Sequence, residues 1–269
     1  MFDQTLPRWT FSLNATTVTP QEKQMRTPLV LSVALTTIAC SSATPGTPGP
    51  GVDAGPADAP ITKDAGNQAP ANLRSFESNA EGISDACKAS DFVKAKAILD
   101  QAKSNWSTIK PLALAAGTPQ TVVDKVEATL TIVTTEIAGS KKRDCETDAN
   151  VLTLVIPDIF DHFTYAVPSD ALRGDGVFRQ LQIDSEYSDF TTADADLAAA
   201  NAVWVRLRPV TVTQAPKRLD IPGAGTVVAD TDATLTECKT AIANKDVATL
   251  ATASQAGLDE IDTIETIFK

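Results

Sequence analysis

Histidine is almost missing from these 269 residues: there is one, His162. A metal triad built on paired imidazoles is therefore out of reach, as is the Cys-x-x-Cys-His attachment of a c-type haem. Both methionines fall within the first 25 residues, so no later Met can serve as an axial ligand. Aromatic residues make up only 5%, with three Trp and two Tyr. No Gly-x-Ser-x-Gly elbow accompanies His162, which removes the usual frame of a serine hydrolase. Basic residues are outnumbered, 23 Lys and Arg against 34 Asp and Glu, for a net charge of -11. That sign disfavours nucleic acid and anionic lipid as partners. The one basic run, Lys141-Lys142-Arg143, reads as an isolated turn.

What is abundant is aliphatic: 43% of the chain is apolar, much of it Ala, Leu, Val and Ile in long stretches. This composition suits helices packed through small and aliphatic side chains, and the expected class is all-α.

The N-terminal part has a different character. Met25-Arg26 precede an apolar run from Pro28 to Ala39, followed by Cys40, Ser41 and Ser42. A charged start and about 12 apolar residues ending in a small one form an export signal, too short to span a bilayer. The segment Thr37-Ile38-Ala39-Cys40 resembles the lipobox of bacterial lipoproteins. The resemblance implies that Cys40 is acylated and becomes the mature N-terminus. A Ser after the Cys, by the same likeness, implies the outer membrane. Residues 1–24 precede this signal and show no helical or strand pattern, so translation is expected to begin at Met25. The following tract, to about residue 70, is rich in Pro, Gly, Ala and Asp and cannot bury apolar area; it reads as a tether reaching about 90 Å when stretched. The expected organisation is a signal region over 1–39, lipidated Cys40 and tether over 40–70, and helical repeats over 71–166 and 167–269.

The two repeats emerge when the chain is laid on itself. At an offset of 98, Ser90-Asp91-Phe92 meets Ser188-Asp189-Phe190, Trp106 meets Trp204 and Pro111 meets Pro209, with nine of 22 positions identical. After an insertion the offset becomes 105, where Val122-Val123 meets Val227-Val228 and Ala128 to Thr131 meets Ala233 to Thr236. A period near 100 residues indicates a duplicated domain rather than a solenoid. Within the first repeat, Phe92, Ala95, Leu99, Ala102, Trp106 and Ile109 alternate in steps of three and four. So do Val123, Val126, Leu130, Val133 and Ile137, and Ala149, Leu152, Ile156, Ile159 and Phe163. Short polar turns join neighbours and force them antiparallel. The reading is two up-down four-helix bundles, in tandem or fused, with helices near 72–88, 91–110, 119–139, 145–164, 175–187, 190–208, 225–243 and 246–268. Ser90 is expected to cap the second helix and Pro111 to end it. Such an architecture resembles the imelysin type of periplasmic protein, but the Gly-x-His-x-x-Glu motif of that family is absent, so the likeness carries no function.

In an exported protein Cys87 and Cys145 meet at one pole of an up-down bundle, and a disulfide between them is expected. Cys238 falls on a core stripe and reads as a buried hydrophobe. The sharpest polar group is Asp158, Asp161 and His162, replaced by Thr263, Thr266 and Ile267 in the sister repeat. Asp158 and His162 stand one turn apart and could clasp a divalent or transition metal ion, with Asp184 and Glu186 as further oxygen ligands; the plainer reading is a solvated helix face. No catalytic constellation is visible. The leading expectation is a non-enzymatic accessory or interaction module without cofactor, held to the membrane by its lipid and meeting an envelope protein. The alternative is a periplasmic metal- or small-ligand-binding protein.

Overall fold

The computed structural model describes residues 67–269; the signal region, Cys40 and most of the tether lie outside the described residues. Eight α-helices account for almost all of what is described: α1 (Ala71–Lys88), α2 (Phe92–Ala115), α3 (Gln120–Ala138), α4 (Lys142–Phe160), α5 (Ser169–Glu186), α6 (Phe190–Gln214), α7 (Val227–Asn244) and α8 (Val247–Phe268). The class is all-α. None of these helices is long and apolar enough to cross a membrane.

The apolar stripes become the core. Ala95, Leu99, Ala102, Trp106 and Ile109 on α2, all five stripe residues on α3, and Ala149, Leu152, Ile156 and Ile159 on α4 are buried. Each aliphatic side chain so removed from water contributes about 1.5 to 3 kcal/mol before the entropy of ordering is counted. Among the first four helices, α1 packs on α2 and α4, and α3 on the same two; among the last four, α5 packs on α6 and α8, and α7 on the same two. The α4–α5 contact joins the two sets.

Four of the short turns share one geometry. Ser90, Ser140, Ser188 and Lys245 each adopt a left-handed conformation just after a helix. In each case the next residue's N–H reaches back to a carbonyl in the last turn, as from Asp91 to Ala86 at 2.8 Å and from Asp189 to Asp184 at 2.8 Å. This places the helix start one residue later than Ser90. Asp91 is the cap, accepting from the Lys94 N–H at 3.0 Å, and Asp189 does the same for α6. Ser90 cannot cap α2, because its left-handed backbone is already closing α1.

The prolines do not end their helices. α2 runs through Pro111 to Ala115 and α6 through Pro209 to Gln214. The lost donor costs one hydrogen bond, while the added turn buries Ala113 and Thr211 fully.

α5 begins six residues before the expected 175 and is the most enclosed helix. It packs on α4, α6 and α8 at once. Its glycines permit this: a Cβ at Gly174 would lie 2.5 Å from Ile261, and one at Gly176 would lie 2.8 Å from Leu154. A chain of buried amides crosses it, the Asn150 side chain donating to the Gly176 carbonyl and to Gln180 Oε1, each at 3.0 Å, and Gln180 donating to Asp184 at 3.3 Å.

The antiparallel run gathers five features at one end of the molecule. These are the incoming segment at Asn67, the α2–α3 turn, the α4–α5 link, the α6–α7 loop and the end of α8. Asn67 and Ala69 pair with Thr164 in the α4–α5 link, Gly117 lies beside His162, and Arg218 donates to the Ile267 carbonyl at 3.0 Å.

Candidate functional site

Asp158, Asp161 and His162 lie at that same end. Both carboxylates turn to one cation: Arg173 on α5 pairs with Asp158 at 2.8 Å, with Asp161, and with Asp170 at 3.2 Å, while Arg206 binds Asp170 at 2.7 Å. Ser169 also donates to Asp161. Burial alone would raise the Asp161 carboxyl, but the hydrogen bonds from Arg173 and Ser169 outweigh it and hold the group below its ordinary value. Burial likewise opposes charge on Arg173, and its carboxylate partners more than offset this, so the guanidinium stays charged. The arrangement locks the α4–α5 link. Asp184 and Glu186 sit at the far end of α5, about 20 Å along its axis, and cannot join the trio. Asp184 instead faces Asp196, and burial followed by that second carboxyl pushes it up to about 8; Glu186 pairs with Lys142. Among the described residues no group of three or more His, Cys, Asp or Glu is placed to hold a metal ion.

Cys87 at the end of α1 and Cys145 at the start of α4 are bonded, their Cα atoms 5.9 Å apart. Cys238 is a buried free thiol. Burial, then the nearby Glu237 and Glu260, pushes its pKa up to about 12, which leaves no thiolate for nucleophilic chemistry near neutrality.

The largest concentration of like charge was not visible in the sequence, because three helices distant in the chain supply it. A cleft of about 440 Å³ lies between α1, α5 and α8, walled by Glu77, Glu81, Asp175, Asp262 and Glu265 with Arg179 and Lys269 as counter-charges. Arg179 pairs with Asp85 at 2.7 Å and Asp175 at 3.5 Å, and Lys269 with Glu265 at 2.9 Å. Glu77 and Glu81 stand one turn apart on α1 and face the same cleft. Burial raises both, Glu77 to about 7 and Glu81 to about 10, with Asp175 adding to the rise at each. Spacing on α1 hinted at a carboxyl pair at i and i+4. Nothing in it told that α5 and α8 would bring more.

A second surface is apolar. Val212, Ala215, Pro216, Leu219, Ala224 and Val228 line a groove of about 330 Å³ where α6 hands over to α7. Leu219 is 68% exposed at its lip, with Lys217 and Arg218 beside it. Val210 and Val212, and their counterparts Leu112 and Leu114 on α2, also remain exposed at this end. The residue pattern offered one clue, an apolar stretch continuing beyond Pro209 where a helix end was expected.

No family model, curated protein or solved structure matches this chain.

Proposed function

We propose that this chain is a lipid-anchored protein of the bacterial envelope, in the outer membrane, acting without catalysis as an accessory module that docks an apolar segment of an envelope protein. The observation that carries the reading is the groove around Leu219, which opens at the end of the molecule where the chain comes in from the tether. An apolar groove with half-exposed Leu and Val at its rim is what an interaction surface needs and what a free surface avoids. Lys217 and Arg218 beside it suit a partner segment flanked by acidic residues.

The helices are proposed to descend from one four-helix unit by duplication. Supporting this, α1 and α5 begin 98 residues apart, as do α2 and α6, while α4 and α8 begin 105 apart. The ion pair Lys110–Glu127 between α2 and α3 recurs as Arg208–Asp232 between α6 and α7, at those same offsets.

A metal or small ligand at Asp158, Asp161 and His162 has less behind it, because Arg173 already occupies both carboxylates.

The test is a photoreactive amino acid placed at Leu219 in cells making the full chain. It should capture one discrete envelope protein, and capture should vanish with Val212→Asp. The same probe at Val93, exposed at the opposite end, should capture nothing. Equal capture from both positions, or none from Leu219, would overturn the reading.

A further inference from the structure

α1 meets the α5–α8 pair across a polar, charged cleft rather than across a packed core. Its long partners are α2 and α4, and the side chains it turns toward α5 and α8 line the acidic cleft. From α1 these are Glu77, Glu81, Asp85 and Lys88. From α5 they are Asp175 and Arg179, and from α8 Asp262, Glu265 and Lys269. α2 and α4 contribute no titratable side chain to the lining. Six carboxyls thus face three cations. Arg179 and Lys269 are committed to Asp85, Asp175 and Glu265, which leaves Glu77, Glu81 and Asp262 with no cation in bonding distance.

We propose that this seam is a proton-operated joint, closed while the carboxyls of Glu77 and Glu81 are neutral and widened when they ionise and the carboxylates of the three helices repel one another.

The geometry gives the joint its means of movement. No apolar layer would have to be torn open, since the walls of the cleft are almost wholly polar. The Cys87–Cys145 bond ties α1 to α4, and across the seam α1 is held to α5 by the Arg179–Asp85 ion pair rather than by a covalent bond. The raised pKa values of Glu77 and Glu81 set the window. A carboxyl whose folded pKa lies above its unfolded value lends stability that is complete below about 4.5 and is lost as the pH climbs through the folded value. For this pair that loss begins near 4.5 and is finished only by about 10, while the protons themselves leave the folded seam between about 7 and about 10, and the two steps belong to the pair together. Desolvation is the first cause of both shifts, so opening the cleft to water also favours releasing the proton, and the two events reinforce each other.

The experiment uses the full chain carrying Cys40→Ser, with Ser78→Cys and Gln255→Cys on opposite walls of the cleft, spin-labelled and measured by dipolar spectroscopy from pH 5 to pH 10. Cys238 is buried and the other two cysteines are bonded, so the labels report the cleft. The expected result is a shift of the mean distance to longer values with its midpoint between pH 7 and pH 10, abolished by Glu77→Gln with Glu81→Gln. Circular dichroism confirms that this variant is folded, and Asp262→Asn, which removes a charge while leaving Glu77 and Glu81 in place, should shrink the widening while keeping its midpoint. A distance unchanged across the range, or a widening equal in the Gln double variant, would overturn the proposal.

Discussion

Gly257 on α8 offers the sharpest test of how the helices are packed. A Cβ built there would lie 2.3 Å from Cδ1 and Cε1 of Phe178 and 2.7 Å from its Cγ. Carbon atoms rest comfortably at about 3.5 to 4 Å, so the ring would have to retreat by more than about 1 Å. Phe178 is 3% exposed and enclosed by α5's neighbours, and Cγ is fixed close to the backbone. Alanine in place of glycine in a helix interior should by itself stabilise by roughly 1 kcal/mol. Overpacking costs about 1 to 3 kcal/mol and occasionally more, and a contact this close belongs at the top of that range, so after the alanine gain the net effect of Gly257→Ala is a loss of roughly 2 kcal/mol. For a domain of this size that is a fall of about 4 to 8 °C in Tm. Gly82 supplies the control. Its Cβ would meet Ile98 Cδ1 at 3.4 Å, an ordinary contact with the far end of a flexible chain. Gly82→Ala should therefore raise Tm by about 2 °C. Thermal melts of both variants, with Phe178→Leu combined with Gly257→Ala to recover part of the loss, decide the matter. A Tm that rises for Gly257→Ala as it does for Gly82→Ala would refute the close α5–α8 contact.

Arg173→Met should lower stability at pH 7 by about 1 kcal/mol, a modest figure because Asp158 and Asp161 are nearly half exposed and screened. The depressed Asp161 carboxyl contributes stability that is complete above its unfolded value and lost as the pH falls through the folded one. Melts of wild type and variant should thus converge below about pH 4, and a gap that persists to about pH 2 would contradict the ion pairing. Removing the disulfide with Cys87→Ala and Cys145→Ala releases a loop spanning 58 residues, for which chain entropy predicts a loss of about 4 kcal/mol in denaturant unfolding. A loss under about 1 kcal/mol would mean that the reduced chain already holds α1 against α4.

The stripes on α2, α3 and α4 were legible because one face of each meets the core and the other meets water. Val123 through Ile137 and Ala149 through Ile159 were buried as their spacing required. α5 was hard to delimit for the opposite reason. It packs on three helices, so polar residues such as Asp175, Gln180 and Asp184 are buried along with its apolar ones and blur the period, and Gly174 and Gly176, which depress helix propensity, are there to admit neighbouring helices. The ends of α2 and α6 were misjudged because proline's local cost is outweighed by burial one turn later, at Ala113 and Thr211. Asp158, Asp161 and His162 stood out by their difference from Thr263, Thr266 and Ile267, 105 residues on, yet the partner that engages the two carboxylates, Arg173, lies across a link and could not be paired from spacing. Beyond the Glu77–Glu81 spacing the acidic seam has no linear signature, since Glu81, Asp175 and Asp262 belong to three helices and lie 94 and 87 residues apart in turn.

The proposed docking of a tethered module through its Leu219 end is tested by comparing photocapture at Leu219 in cells making the native chain and the Cys40→Ser chain. A lipid anchor would raise the effective concentration of the module at the membrane, so capture of the same envelope protein should fall at least about tenfold when Cys40 is lost. Equal capture from both chains would contradict anchored docking.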